Sequence, residues 1–190
     1  MTKRLGPGRL VLVVGPSGAG KDTLMSAVRI RLAADGRYLF ARRLITRTAD
    51  PAAEDHGTIS EAEFERLAAA GDIGLCWRAH GLGYVLPSSV DDAIRQGKTV
   101  IANGSRKALV AAQAKYERLT VLLITAPREI LAARLLARGR ETAEEIGRRL
   151  DRADLDLPEL DRSEEVLRVI SNTGTVEQAV AQILAAIAGE

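Results

Sequence analysis

The chain has 190 residues, of which 46% are hydrophobic and 27% charged, and its formal net charge at pH 7 is +2. This length is sufficient for one domain with a full hydrophobic core, and the composition is typical of a globular protein. So small a net charge argues against a surface built as a whole to bind nucleic acid or a membrane. A single cysteine, Cys76, rules out a disulfide within these residues, and we expect a cytoplasmic location.

The first pattern is an apolar run, Arg9–Val14, followed by a glycine-rich turn and a helix predicted over Thr23–Ala34. Strand, glycine turn, lysine and helix together are typical of the phosphate-binding P-loop. In that motif backbone N–H groups and a helix N-terminus surround phosphate oxygens, and the lysine adds a positive charge. The candidate nucleotide-binding residues are Gly15, Pro16, Ser17, Gly18, Ala19, Gly20 and Lys21. The alternative is a tight strand–helix turn without a ligand.

One position of this turn is unusual. Asp22 stands where Ser or Thr normally follows the lysine to meet Mg²⁺, and Thr23 comes next. Either the carboxylate or the hydroxyl offers the hard oxygen ligand that Mg²⁺ prefers, and the pattern does not choose between them.

A second strand is predicted at about Tyr38–Ile45, and a polar loop follows it up to Gly57. Arg43 and Arg47 lie at the mouth of this loop. Because an arginine fork suits phosphate, they are candidates for a second phosphate site. The alternative is a solvated basic edge.

Ser60 and Glu63 form a predicted capping box for a helix that ends at Ala70. A strand–turn–strand pattern over Ile73–Tyr84 follows. It contains Trp77, His80 and Tyr84 in a chain that is only 3% aromatic, which indicates either a pocket wall with polar tips or a small satellite core.

Helices and strands then alternate, which predicts an α/β fold with a parallel sheet. The predicted elements are a helix capped by Ser88 or Ser89 and ended by Gln96, a strand at Thr99–Asn103, a helix at about Lys107–Lys115 and a strand at Leu119–Thr125. Asn103, Ser105 and Arg106 follow a strand, at the sheet edge where α/β proteins bind ligands.

The next predicted helix, Arg128–Ala137, opens an arginine-rich stretch, and a capping box at Thr142 and Glu145 starts another helix. The arginines are Arg134, Arg138, Arg140 and Arg149. They suit either a mobile lid that stabilises a phosphoryl group in transfer or an ordinary charged surface. A last strand is predicted at Val166–Ile170, and an amphipathic helix at Val176–Ile187 closes the chain.

Across nearly its whole length the chain resembles guanylate kinase and its relatives, through the glycine turn, Thr46-Arg47 and the Arg134 to Leu150 stretch. It resembles more closely the ribose 1,5-bisphosphate phosphokinases of bacterial phosphonate breakdown. The segments that carry this closer resemblance are Gly20-Lys21-Asp22, Ile45-Thr46-Arg47, Glu54-Asp55-His56, Ser60–Phe64, Trp77–Tyr84, Asn103–Arg106 and Arg138–Glu141. Asp22 is normal for that family.

Several positions depart from the patterns of these families. True guanylate kinases have a second arginine near Asp50-Pro51, a glutamate where Cys76 stands and an aspartate where Asn103 stands. In guanylate kinases those positions serve guanine recognition, so these departures argue against guanine specificity. Val85 stands where the phosphokinases usually have glycine.

The resemblance implies a P-loop kinase fold over residues 1–190, with an acceptor-binding region at about 37–87 and a lid at about 134–150. It implies transfer of the ATP γ-phosphoryl group, with Mg²⁺, to the 1-phosphate of ribose 1,5-bisphosphate, and small-molecule substrates as the partners. Lys21, Arg134, Arg138 and Arg149 would be catalytic, and Asn172 would touch the adenine. The acceptor would meet Arg43, Arg47, Glu54, His56, Trp77, His80, Tyr84, Asn103, Ser105 and Arg106. The alternatives are a nucleoside-monophosphate kinase and a non-catalytic binding module, but such modules lose the lysine and the lid arginines.

Overall fold

The computed structural model describes residues 3–47, 56–139, 142–153, 158 and 166–189. Within these residues the strands are β1 Leu5–Val14, β2 Tyr38–Phe40, β3 Leu44–Ile45, β4 Gly57–Thr58, β5 Ile73–Ala79, β6 Leu82–Pro87, β7 Thr99–Asn103, β8 Tyr116–Thr125 and β9 Leu167–Ser171. The α-helices are α1 Lys21–Leu32, α2 Glu61–Ala70, α3 Ser89–Arg95, α4 Leu109–Lys115, α5 Arg128–Arg138, α6 Ala143–Ala153 and α7 Val176–Ala188. A 3₁₀ turn, Arg106–Ala108, precedes α4.

The strands form two sheets. A five-stranded sheet has the order β2-β7-β1-β8-β9, and its outer pairs, β2 with β7 and β8 with β9, are parallel. Five consecutive residues at the end of β1, Leu10 to Val14, are at most 1% exposed, as a strand covered on both faces requires. A four-stranded sheet has the order β4-β3-β6-β5 and contains the β5–β6 hairpin. The predicted α/β class with a parallel sheet is confirmed.

The strand predicted at Tyr38–Ile45 is wrong as one element. Tyr38 pairs with Thr99 in the five-stranded sheet, whereas Ile45 pairs with Tyr84 in the other sheet. The chain changes sheets over Ala41 to Arg43, where two arginines interrupt the apolar run.

The predicted cap of α2 is present in the structure, whereas the predicted cap of α3 is not. Ser60 Oγ accepts a hydrogen bond from the backbone N–H of Glu63, and Gly71 ends α2 in the left-handed conformation, as expected. The serine cap of α3 is wrong, because Ser88 already has helical backbone angles and makes no side-chain cap.

The chain divides into two compact units. The first unit comprises residues 1–12 and 35–120, and the second comprises residues 13–34 and 121–190. The first has its core around Val85, Leu86 and Ile94, and in the second Leu24 and Ile183 are among the buried residues. No described helix is long and apolar enough to cross a membrane. The single-domain assignment over 1–190 stays a prediction.

Candidate active site

In the second unit the glycine turn connects β1 to α1 along a path that only glycine can take. Gly15 and Gly20 have φ angles of 151° and 88°, which L side chains rarely adopt. A Cβ on Gly15 would lie 2.3 Å from the Ile124 carbonyl oxygen, and one on Gly20 would lie 2.5 Å from Nδ2 of Asn172. The loop therefore keeps its backbone close to its neighbours.

Lys21 is folded back over this loop. Its Nζ donates hydrogen bonds to the carbonyl oxygens of Gly15, at 2.8 Å, and Pro16, at 2.9 Å. Helix α1 begins at Lys21, and its N-cap, Gly20, has no side chain to occupy the first-turn N–H groups. The ammonium group and the helix N-terminus thus lie at the same turn, as an anion site requires.

Two residues distant in sequence brace the turn. Arg134 Nη2 donates to the backbone oxygen of Asn172 at 3.0 Å, and its Nη1 lies 3.4 Å from the Gly18 oxygen. Asn172 is 6% exposed, and its Nδ2 donates to the Ala19 oxygen at 2.7 Å. Both side chains hold the loop backbone in this structure. The adenine contact expected of Asn172 and the catalytic role expected of Arg134 remain predictions.

The predicted lid corresponds to the end of α5 and to α6. Gly139 ends α5 in the left-handed conformation, and Thr142 and Glu145 form the expected capping box before α6. The hydrogen bonds from the backbone and hydroxyl of Thr142 lower the pKa of Glu145. Arg128 pairs with Asp151 at 2.7 Å and so connects the two helices.

The lid arginines are only partly described. Arg149 is exposed on α6. The side chain of Arg138 and the whole of Arg140 lie outside the described residues, as does Glu54 of the acceptor region. The expected movement of the lid remains a prediction.

A magnesium ion would find oxygen ligands at the first turn of α1. Asp22 and Thr23 are both exposed there. Within the described part of the chain no three His, Cys, Asp or Glu side chains cluster to hold a metal ion by themselves. This donor set suits Mg²⁺, which usually takes one or two protein ligands together with substrate phosphates.

In the first unit the predicted phosphate arginine, Arg47, pairs with a histidine. Arg47 is exposed, and its Nε lies 3.5 Å from Nε2 of His56. His56 is 2% exposed, and its Nδ1 lies 3.0 Å from the Gly57 carbonyl oxygen. Two candidates predicted separately are therefore in contact.

A second cluster lies on the β5–β6 hairpin. Trp77 and Tyr84 are cross-strand partners whose rings are stacked, with their centres 5.4 Å apart and an angle of 2° between their planes. The Arg43 guanidinium lies 5.0 Å from the centre of the Tyr84 ring. Trp77 Nε1 is buried without a hydrogen-bond partner among the described residues. His80 is exposed at the hairpin turn with a φ of 53°, a left-handed conformation in which histidine is enriched.

The residues after β7 are placed as predicted at a strand end. Asn103 is 4% exposed at the last position of β7. Ser105 Oγ accepts from the backbone N–H of Lys107 and caps the 3₁₀ turn, on which Arg106 is half-buried.

Two features of the first unit were not predicted. Thr46 exchanges hydrogen bonds with Gly83: its backbone N–H donates to the Gly83 oxygen at 3.1 Å, and its Oγ1 accepts from the Gly83 N–H at 2.9 Å. Buried Asp91 forms an ion pair with Lys115 at 2.7 Å, and its Oδ1 accepts a hydrogen bond from the Tyr116 hydroxyl at 2.7 Å. Thr46 could have been singled out from the sequence, because it precedes the candidate Arg47. Asp91, Lys115 and Tyr116 share no spacing pattern that would have indicated their cluster.

The comparisons with known proteins bear on the fold and on the family. No family model matches the chain. A crystal structure of guanylate kinase from Anaplasma phagocytophilum matches with a TM-score of 0.66 over 100% of this chain and 88% of that one, at 19% identity. The chain therefore has the fold of guanylate kinase, as predicted.

Sequence relatives are more specific. A ribose 1,5-bisphosphate phosphokinase PhnN of Rhodopseudomonas palustris is 50% identical over 91% of this chain and 84% of the relative. A protein of the same name from Methylobacterium radiotolerans is 46% identical over 94% of this chain and 97% of the relative. Another from Brucella melitensis is 52% identical over 76% of each chain. The chain belongs to the ribose 1,5-bisphosphate phosphokinase family, which confirms the closer of the two resemblances.

Proposed function

We propose that this chain transfers the γ-phosphoryl group of ATP to the 1-phosphate of ribose 1,5-bisphosphate and forms 5-phosphoribosyl 1-diphosphate and ADP. The observation that carries this proposal is the 50% identity, over 91% of the chain, to a relative named for the activity. The geometry of each unit suits one of the two substrates.

The second unit supplies the groups that bind ATP. Backbone N–H groups of the glycine turn and the start of α1 would bind the phosphate oxygens, and the Lys21 ammonium adds a full positive charge. Lys21 Nζ donates to two carbonyl oxygens of the same loop, at 2.8 and 2.9 Å, so the charge is already held at the turn. Mg²⁺, bound with the nucleotide through Asp22 or Thr23, would supply further neutralisation of the phosphate charge.

The first unit supplies cations and hydrogen-bond donors for the acceptor. Arg47 is exposed, and Arg43 lies over the Tyr84 ring. Both suit an acceptor that carries two phosphates. His80, Asn103, Ser105 and Arg106 are the further candidates for the sugar and its phosphates.

The reaction needs little proton chemistry. An oxygen of the 1-phosphate forms a bond to the γ-phosphorus while the bond from that phosphorus to the bridging oxygen of ADP breaks, and ADP leaves with the electron pair. The attacking phosphate is already an anion near neutral pH, so no general base is required. Positioning and charge neutralisation then carry the catalysis. We assign the neutralisation to Lys21, Arg134, Arg138 and Arg149.

The test is ADP release from Mg·ATP with purified protein, offered ribose 1,5-bisphosphate, GMP, AMP or no acceptor in parallel. We expect release only with the bisphosphate, with 5-phosphoribosyl 1-diphosphate as the product. Release with GMP alone would overturn the proposal in favour of a guanylate kinase, and release with none of them would overturn both kinase assignments.

A further inference from the structure

We infer that His56 is a positioning residue that holds Arg47 through a neutral imidazole, and that it leaves the terminal nitrogens of that arginine for an acceptor phosphate. The inference deepens the proposed function and rests on it for the identity of the acceptor. The hydrogen bonds and the burial of the two side chains carry it.

The hydrogen bonds of His56 define its protonation state. Nδ1 lies 3.0 Å from the Gly57 carbonyl oxygen, and because a carbonyl only accepts, Nδ1 carries a proton. Nε2 lies 3.5 Å from Arg47 Nε, and because that nitrogen only donates, Nε2 keeps its lone pair. Only the neutral ring with its proton on Nδ1 satisfies both contacts.

His56 is buried, whereas Arg47, which it contacts, is exposed. The histidine is 2% exposed, and both ring nitrogens are occupied by protein groups. Its backbone oxygen accepts from Arg42 Nη2 at 3.1 Å, and Gly57 beside it pairs with Leu44 in the four-stranded sheet. A ring anchored in this way has no polar atom left for a substrate, so it acts through the arginine.

The exposed side chain of Arg47 is left with one way to bind an anion. Its Nε is directed at His56, and in the described part of the chain no hydrogen bond or ion pair involves Nη1 or Nη2. A guanidinium held at Nε presents its two terminal nitrogens end-on as a fork, which matches two phosphate oxygens. The histidine thereby reduces the rotamer freedom that phosphate binding would otherwise have to remove.

The first test does not depend on activity. The chain contains only two histidines, His56 and His80, so nitrogen NMR of the imidazoles is assignable with a His80→Gln variant. We expect His56 near neutral pH to carry its proton on Nδ1, where the Gly57 carbonyl accepts from it, and we expect the Nε2 signal to shift in Arg47→Ala, which removes the donor facing that nitrogen. A proton on Nε2 in the unmodified protein would overturn the inference, even if the protein transfers phosphate as proposed.

The second test is a double-mutant cycle on phosphoryl transfer. His56→Leu should raise KM for ribose 1,5-bisphosphate about ten-fold and leave KM for ATP unchanged, since it removes a hydrogen bond to a charged group. Added to Arg47→Ala, it should change KM less than about two-fold further, because the two residues act as one unit. Independent, multiplicative effects would mean that His56 contacts the acceptor itself and would overturn the inference.

His56→Gln is the matched control, because its side-chain oxygen still accepts a hydrogen bond. It should keep most of the acceptor affinity. A glutamine variant whose KM for ribose 1,5-bisphosphate rises as much as that of the leucine variant would contradict the inference. Should the leucine variant fail to fold, the glutamine variant and the NMR measurement still decide. A protein inactive with every acceptor would refute the proposed function, and the NMR result would stand apart from it.

Discussion

The glycine loop of the second unit and the acceptor region of the first hold their cations in different ways. The Lys21 ammonium is held by two backbone carbonyls that lie five and six residues before it. In the acceptor region Arg47 is held by a side chain instead: its partner, His56, lies nine positions after it in the sequence.

This difference decides how each region responds to change. In the loop the backbone itself forms the site, so the conformation and the lysine are the sensitive features. For Arg47 in the acceptor region the holding group is itself a side chain, so a substitution of that neighbour should change binding.

Lys21→Ala should have the largest effect of the substitutions considered. It removes the ammonium held at the loop, and we expect kcat for phosphoryl transfer to fall about 10²–10³-fold, the size seen when one charge-stabilising donor is removed. Coupled detection of ADP measures this. Lys107→Ala, which removes an exposed lysine of the first unit, is the control and should leave the rate unchanged. Full activity in the Lys21 variant would show that the loop does not bind the reacting nucleotide.

Gly20→Ala tests the backbone of the same loop. The new Cβ would sit at a φ of 88° and 2.5 Å from Asn172 Nδ2, so we expect a loss of about 2–3 kcal/mol in the free energy of unfolding and a higher KM for ATP. Gly36→Ala is the matched control, since its Cβ would have no neighbour within 4 Å. Urea denaturation of both variants gives the difference. Equal stabilities would mean that the loop relaxes around the methyl group.

The same contrast explains how far the sequence could predict the structure. The glycine turn was predictable because its spacing is itself the mechanism, and the hairpin over Ile73–Tyr84 was predictable from local turn chemistry. The break of the Tyr38–Ile45 strand was not predictable. Ile45 pairs with Tyr84, 39 positions away, whereas Phe40 pairs with Ile101, 61 positions away. The local residues do not decide between these two distant partners.

The site residues follow the same rule. Arginine and histidine at positions 47 and 56 were predictable as candidates from residue type alone. Their contact was not, because no periodicity joins them across the intervening loop. The Asp91, Lys115 and Tyr116 cluster gave no signal, since a buried ion pair is defined by burial that only the fold creates.

Tyr116→Phe tests that cluster. The Tyr116 hydroxyl lies 2.7 Å from Asp91 Oδ1 and 3.0 Å from the Gly74 carbonyl oxygen, both distant in sequence. The hydroxyl donates to buried Asp91, so its loss should cost about 1–2 kcal/mol of unfolding free energy near neutral pH. Tyr38→Phe, which removes the hydroxyl of a half-buried tyrosine, is the control.

The difference in unfolding free energy between the unmodified protein and Tyr116→Phe should also depend on pH. Burial, and then the Asp91 carboxylate, raise the pKa of Tyr116 well above its ordinary value. Its contribution to stability is therefore complete below the ordinary tyrosine pKa of about 10 and declines as the pH rises above that value, because the unfolded chain ionises first. The denaturation midpoints of the unmodified protein and of Tyr116→Phe should therefore differ below about pH 10 and approach each other as the pH rises above that value. A constant difference would show that the hydroxyl is not held as described.

Trp77→Phe should have the smallest effect, and it decides between the two interpretations of the aromatic hairpin. Trp77 Nε1 is buried with no partner among the described residues, so phenylalanine removes an unsatisfied N–H while it keeps a ring against Tyr84. The lost contacts and the relieved N–H oppose each other, and we expect a stability change within about 1 kcal/mol. KM for the acceptor should not move, because a nitrogen enclosed by protein cannot reach a ligand. Trp77→Leu, which removes the stack, should cost more. A several-fold rise in acceptor KM for Trp77→Phe at unchanged stability would instead show that the indole N–H meets the substrate and that the hairpin is a pocket wall.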